Sequence, residues 1–454
     1  MAHQQEDPGE KPSQPRRPMG VWELSWPTMT AFSLQAVVGL VDLLFVAQLG
    51  TDAVAAVGVG GQTHFLTFAF ITAVTTGTVA LIARSSGARD ERETAQVMHT
   101  SFVLAFLFGL LLSAAAPGAA NYVALFGVSD RVVALGGSYL EILLWVSVPC
   151  SVGIAFSSAL RGVGDVRTPL LIGVLINLIN IVGDWVLIFG HWGAPALGTD
   201  GSAIASAIAF SVGTLLYFAL WWSDRLTIPW GPGLSGFSTQ ITRRILVVGA
   251  PTALEQLAFD MGLLIFLRMV SQFGTECVSA YMIGVRILGF SFIPGLGFSM
   301  AASTLVGQYL GMQKPALAAR AGWRAAVGAM TTMTLLGLTI ILLAPAIADW
   351  FGAAGATTTR LTIVFIYILG ACQPLMALDF ALGGALRGAG DTRFPLLSVM
   401  VGILGFRLGV GWWVTSVMGG GVVALWACLI GDYTLRAGLL ATRFWWGNWK
   451  TIRV

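Results

Sequence analysis

PLLIGVLINLINIVGDWVLIFG, residues 169–190, is apolar enough and, at 22 residues, long enough to cross a bilayer as a helix. It nevertheless carries Asn177, Asn180 and Asp184 at spacings i, i+3 and i+7. A helix places all three on one face, with leucine, isoleucine and valine around the rest. A carboxylate at bilayer depth is costly, roughly 3 kcal/mol on insertion scales, so it faces a bundle interior or a water-filled cavity. The stripe therefore reads as one wall of an ion or proton site between helices. Interhelical hydrogen bonding is the alternative role for the asparagines.

The rest of the chain is of the same character. Of 454 residues, 56% are hydrophobic and only 10% charged, against about 25% charged in a soluble domain. The composition is that of an integral membrane protein, and no polar segment is long enough to form a soluble domain. Hydropathy divides the chain into twelve spans, near 24–48, 54–83, 97–116, 134–160, 169–190, 202–222, 245–272, 278–307, 322–346, 361–386, 395–416 and 421–442. Residues 1–19 read as a disordered tail, 20–222 as one six-span lobe, and 223–244 as a linker. Residues 245–442 read as a second lobe, and 443–454 as a C-terminal tail. Cys150, Cys277, Cys372 and Cys428 have no paired spacing, so neither disulfides nor a metal centre is expected.

Arginine and lysine outside the spans fall on alternate connections. Nineteen lie in the two tails and in loops such as 84–92, 161–167 and 387–393, while the opposite set has only Arg131 and Arg360. That asymmetry makes both termini and the basic loops cytoplasmic. Trp22, Trp26, Trp445, Trp446 and Trp449 suit the membrane interface.

The two lobes are copies. ALRGVGDVRTP at 159–169 returns as ALRGAGDTRFP at 385–395, an offset of 226, and LGTDAVAA at 49–56 returns as FGTECVSA at 273–280, an offset of 224. Pro27 and Pro251, and Gly87 and Gly311, share the latter offset. An even number of spans per copy gives parallel repeats. The expected fold is thus an all-α membrane protein, with twelve transmembrane helices in two six-helix lobes related by a pseudo-twofold along the membrane normal. The repeated loop has a mechanical sense: its glycines end one helix, and Pro169 and Pro395 open the next.

Acids within the spans are the functional candidates. Asp42 stands alone in the first span, and its counterpart in the second lobe is Phe266. Asp184 and Asn180 correspond to Val410 and Phe406, so this polar set exists in one copy only. That asymmetry favours function over scaffolding. In the second lobe Glu255 and Asp260 are five residues apart, about 140° around a helix, which favours Glu255 alone facing the cleft. Asp260 then pairs with Arg268 or Arg407. Arg286 pairs with one of these acids, and Asp379, after Pro374, is a further cavity candidate. No nucleotide-binding loop, metal-spaced cluster or nucleophile motif is present, so the chain reads as no enzyme. It needs no cofactor and draws energy from an ion gradient.

Together these features resemble the multidrug and toxic compound extrusion (MATE) transporters, particularly their prokaryotic DinF-like branch. The resemblance covers residues 20–440 and rests on the duplication, the paired ALRGxGDxRxP loops, VDLLFVAQLG, and NLINIVGDWVLIFG. It implies antiport of lipophilic, often cationic, drugs and toxic organic compounds against protons or sodium in a cell inner membrane, by alternating access. The expected partners are small organic molecules and membrane lipid, not nucleic acid, and a monomer is expected because the two lobes already supply both sides of the cleft. It also implies an ion-coupling site at Asp42, Asn180, Asp184 and a sixth-span hydroxyl, best matched by Ser206 and second by Ser202. Sodium would sit at Asp42, Asn180 and Asp184. Glu255, Asp260, Asp379 and Asn177 become a substrate or secondary cation site. The NorM-like branch has a tenth-span acid eleven residues before the loop arginine; here that position is Met376, and Asp379 lies about one helical turn on. A lipid-linked precursor or polysaccharide flippase of the same superfamily is the alternative reading.

Overall fold

The computed structural model describes residues 19–229, 237–351 and 355–452, and among these there is helix and no strand. The first half comprises α1 (Val21–Ala47), α2 (Thr51–Ala88), α3 (Glu91–Ala114), the short α4 (Ala119–Ala124), α5 (Asp130–Trp145), α6 (Ser147–Val163), α7 (Arg167–Phe189) and α8 (Thr199–Trp222). The second comprises α9 (Thr239–Ser271), α10 (Thr275–Gly311), α11 (Pro315–Leu342), the short α12 (Ala344–Trp350) and α13 (Ala356–Gly388). It closes with α14 (Arg393–Val399), a π-helical segment Met400–Val410, α15 (Gly411–Ser416) and α16 (Val422–Trp446).

Twelve crossings result. Nine helical spans among the described residues have the length and hydropathy of a membrane crossing, and α5 with α6, bent by 55°, adds a tenth. The helices α2 and α9, of 38 and 33 residues, complete the set. Leu44, Leu111, Leu171, Leu215 and Leu335 are among the apolar side chains left outside, as a surface facing lipid tails requires.

Helix ends follow the local chemistry. Gly164 ends α6 at φ 93°, a left-handed position open to glycine. Asp165 then accepts from the Thr168 backbone N–H at 3.0 Å and the Thr168 hydroxyl at 2.7 Å, fixing the start of α7. The repeat is visible in the backbone as well. The α1–α10 contact has its counterpart in α9–α2, and α2 packs on α10 across the pseudo-twofold. Gly87 lies against the backbone of Gln308 and Gly311 against that of Arg84, each too close for a side chain. Since Arg84 and Gln308 share the offset of 224, one contact is made twice.

Those glycines lie at the end carrying the arginine-rich loops. There Gln308 Nε2 donates to the Gly162 carbonyl (3.1 Å), Thr304 Oγ1 to the Arg161 carbonyl (3.0 Å), and Arg244 pairs with Glu93 (2.7 Å). The cleft between the lobes is therefore closed at the basic end.

Two boundaries differ from the sequence reading. Ser238 caps α9 through the Ile241 N–H, so helix begins inside the expected linker 223–244, of which 230–236 lie outside the described residues. Residues 1–18 of the expected tail lie outside the described residues. At the C-terminus α16 runs to Trp446 and the chain turns back. Trp449 stacks on Phe444 at 4.5 Å and donates its indole N–H to the Phe444 carbonyl. Trp449 is fully buried and belongs to the core rather than the membrane interface, because its aromatic face and its N–H both find partners within the lobe.

Candidate functional site

In the N-lobe, α1, α5, α7 and α8 converge on a buried group of oxygens. Asp184, on the inner face of α7, is wholly shielded, and neither carboxylate oxygen has a hydrogen-bond partner. Asp42, on α1, lies close enough to interact with it electrostatically. Ser202, fully buried on α8, donates to Asp42 Oδ1 at 2.7 Å. One turn along, Asn180 Nδ2 donates to Ser206 Oγ at 3.1 Å, leaving the amide oxygen of Asn180 to face other partners. Tyr139 on α5 reaches the same centre, close enough to Ser202 and to both carboxylates to interact with them electrostatically.

The structure thus gathers Asp42, Asn180, Asp184 and Ser206, with Asn177 beside a separate cavity on the same α7 stripe. The hydroxyl against the carboxylate is that of Ser202, whereas Ser206 touches the asparagine. Tyr139 was not singled out in the sequence, where a tyrosine in an apolar span carries no distinguishing signal. The donor set is carboxylate, amide and hydroxyl oxygen, which suits a proton or a hard cation such as sodium rather than a thiophilic metal.

The C-lobe counterpart is built differently. Where the N-lobe has Asp42, Phe266 is packed in the core, and the guanidinium of Arg407 lies over its ring. Arg407 comes from the π-helical segment, a distortion that often marks function, and pairs with the fully buried Asp432 of α16. Asp379 accepts from Arg436 at 2.5 Å, and Glu255 from Arg387 at 2.5 Å. Buried acids in this lobe are therefore balanced internally by arginine, as burial of charge demands.

Three sequence expectations are corrected here. Glu255 and Asp260 both line the central cavity, because the cavity wraps around α9 widely enough to reach side chains 140° apart. Asp260 takes a hydrogen bond from Gln256 at 3.0 Å and pairs with neither Arg268 nor Arg407, since Asp432 already holds Arg407. Arg286 is exposed and forms no ion pair among the described residues. Asp432 and Arg436 went unread in the sequence, although each is a formal charge within an apolar span, the same signal that identified Asp42. Met376 is buried in the apolar core, and Asp379 faces the cavity instead.

The central cavity, of about 670 Å³, lies between the lobes. Phe32, Phe259, Phe292, Met300 and Phe380 give it a soft aromatic wall. Of the charges lining it, Glu255 and Asp379 are neutralised by Arg387 and Arg436, leaving Asp260 as an acid without an arginine.

Comparison with known proteins agrees with this architecture. The family model MatE matches twice, over residues 27–186 and 251–413, which is the duplication seen in the sequence. A "Probable multidrug resistance protein NorM" from Thermotoga maritima is 29% identical over 94% of this chain and 92% of its own length. The "Uncharacterized transporter YisQ" of Bacillus subtilis is 26% identical over 94% and 93%. Among solved structures, the "Outward-facing conformation of a multidrug resistance MATE family transporter of the MOP superfamily" superposes with TM-score 0.87 at 24% identity, covering 94% of each chain. That likeness is one of fold.

Proposed function

The chain belongs to the MatE family, and we propose that it exports lipophilic organic cations and related toxic compounds in exchange for a proton or sodium ion. As a family member it is an integral membrane transport protein and not an enzyme. The observation carrying the proposal is Asp184, whose carboxylate is fully buried beside Asp42 with no hydrogen-bond partner for either oxygen. A buried carboxylate is tolerable when paired, metal-bound or neutral. A coupling ion at Asp42, Asn180, Asp184 and Ser202, with Ser206 and Tyr139 behind them, supplies that balance. The buried C-lobe acids Glu255, Asp379 and Asp432 have arginines and do not need one.

Substrate belongs in the central cavity, where aromatic and methionine side chains accept varied flat molecules and Asp260 favours a cation. Asp260 also weighs against the flippase alternative, which calls for a cationic lining, whereas here both arginines are neutralised. The 19 to 2 distribution of basic residues supports reading the sealed end as cytoplasmic, and on that reading the conformation is one closed toward the cytoplasm. Ion occupancy must then bias how the lobes tilt for coupling to follow. α1 carries Asp42, lines the central cavity through Phe32, and holds Pro27 and Gly39 as points of bending. Efflux of a fluorescent lipophilic cation from vesicles, under a pH gradient alone and a sodium gradient alone, tests this. One gradient is expected to drive efflux, and Asp42→Asn to abolish it. Efflux driven by neither gradient would overturn the proposal.

A further inference from the structure

The outward face of α11 changes chemistry along its length. Towards its C-terminal end Val327, Leu335, Leu338 and Leu342 are exposed, a surface suited to lipid tails. Arg320 and Arg324, both exposed, continue the same stripe at the N-terminal end. At 3.6 residues per turn, all six positions fall within about 80° of one another around the helix. From Arg324 to Leu342 the helix rises about 27 Å, close to the roughly 30 Å of bilayer hydrocarbon. Arg324 therefore stands at the hydrocarbon boundary, and Arg320, one turn further out, at headgroup depth.

The protein does not balance these charges. α11 contains no acid, and neither arginine forms an ion pair among the described residues. At this end of the C-lobe Asp391 is already held by Arg443 at 2.7 Å. Indoles flank the arginines instead. Trp323 meets Trp445 edge to face at 5.6 Å, and Trp445 and Trp446 are exposed. Indole beside arginine is the composition of the headgroup layer.

The N-lobe lacks this surface. At the offset of 224, Arg320, Trp323 and Arg324 correspond to Gln96, His99 and Thr100 on α3. The ring contact is kept, since His99 packs on Trp221 at 4.9 Å as Trp323 packs on Phe444 at 5.7 Å. The charges are not kept, and there the face is covered. His99 and Thr100 are buried, and Thr100 Oγ1 accepts from the Ser238 N–H at the start of α9 (3.4 Å).

We propose that this face of the C-lobe binds an anionic phospholipid, with Arg320 and Arg324 clamping its phosphate. Trp323 and Trp445 flank the glycerol, and the acyl chains run along Val327 to Leu342. Two unbalanced arginines one turn apart favour a headgroup of net negative charge. In phosphatidylcholine the lipid's own ammonium already offsets the phosphate. The site occurs once per chain, because only one of the two copies carries the arginines uncovered.

The test is native mass spectrometry of the purified full chain in detergent micelles holding equal amounts of dioleoyl phosphatidylglycerol and dioleoyl phosphatidylcholine. The single-lipid adduct with phosphatidylglycerol is expected to exceed that with phosphatidylcholine by about tenfold, the scale of two basic side chains at a lipid surface. Arg320→Gln combined with Arg324→Gln should bring the ratio near unity, and both side chains are exposed, so the fold is spared. Arg92→Gln removes an exposed arginine at the same end of the N-lobe and should leave the ratio unchanged. Equal adducts in the wild type would overturn the proposal, as would a preference that survives the double change. An equal fall with Arg92→Gln would also overturn it, since net charge rather than this face would then select the lipid. Displacement of the bound lipid by excess glycerol 3-phosphate would do the same, assigning the arginines to free phosphate. The measurement involves neither coupling ion nor drug, so its failure leaves the ion-coupled export reading untouched.

Discussion

Ser202→Ala removes the hydroxyl that the structure places against Asp42 and leaves the surrounding helices undisturbed, since alanine is smaller than serine. The bond it deletes is 2.7 Å long and fully shielded from solvent on the serine side. A hydrogen bond to a charged group is worth about 1.5–3 kcal/mol. At about 1.4 kcal/mol per tenfold, the ion concentration giving half-maximal efflux should move by about 10- to 100-fold. The direction reports the ion. A sodium site loses a ligand, so more sodium is needed. A proton site loses a donor that steadied the ionised carboxylate, so fewer protons suffice. Ser206→Ala is the control: it deletes a neutral bond to Asn180 at 3.1 Å, worth about 0.5–1.5 kcal/mol, and should move the curve by about tenfold at most. The assay is dye efflux from proteoliposomes at graded ion concentrations, with protein content matched. An unmoved curve for Ser202→Ala, or a larger displacement for Ser206→Ala, refutes the assignment of Ser202 to the site.

Asp432→Ala strands the buried Arg407 guanidinium and should cost about 3–5 kcal/mol of stability, read as a lowered Tm. The paired change Arg407→Met with Asp432→Leu should recover most of it, and a single mutant as stable as wild type contradicts the burial of this pair. Gly87→Val forces a side chain into the Gln308 backbone and should lower export at normal membrane levels by prying apart the sealed end; unchanged export would show that this contact does not form the seal. Asp260→Asn removes the acid without an arginine from the central cavity and should weaken tetraphenylphosphonium binding by up to about fivefold, the scale of a partly hydrated ion pair. Undiminished binding would place the cation elsewhere.

The architecture was legible because its determinants are local or periodic. Apolar runs of bilayer length, the repeated ALRGxGDxRxP loop and the i, i+3, i+7 stripe each work within one helix or one turn, and the chain forms those helices. What escaped depends on how separate helices rotate against one another. Ser202 and Ser206 lie one turn apart on α8, and only the packing of α8 on α1 decides which hydroxyl meets Asp42. The pairs Asp379–Arg436 and Glu255–Arg387 join residues 57 and 132 positions apart, a separation that periodicity cannot bridge. Trp449 illustrates the same limit: a tryptophan in a basic tail has the composition of an interfacial anchor, and only the turn after Trp446 folds it under Phe444.

The central claim is that Asp184 holds the coupling ion while cargo occupies a different cavity, and one paired measurement on Asp184→Asn tests it. In proteoliposomes the variant should lose gradient-driven export of tetraphenylphosphonium, while equilibrium binding of that cation to the purified variant stays at the wild-type level. Export at the wild-type rate would contradict the account, because the shielded carboxylate would then have no part in coupling.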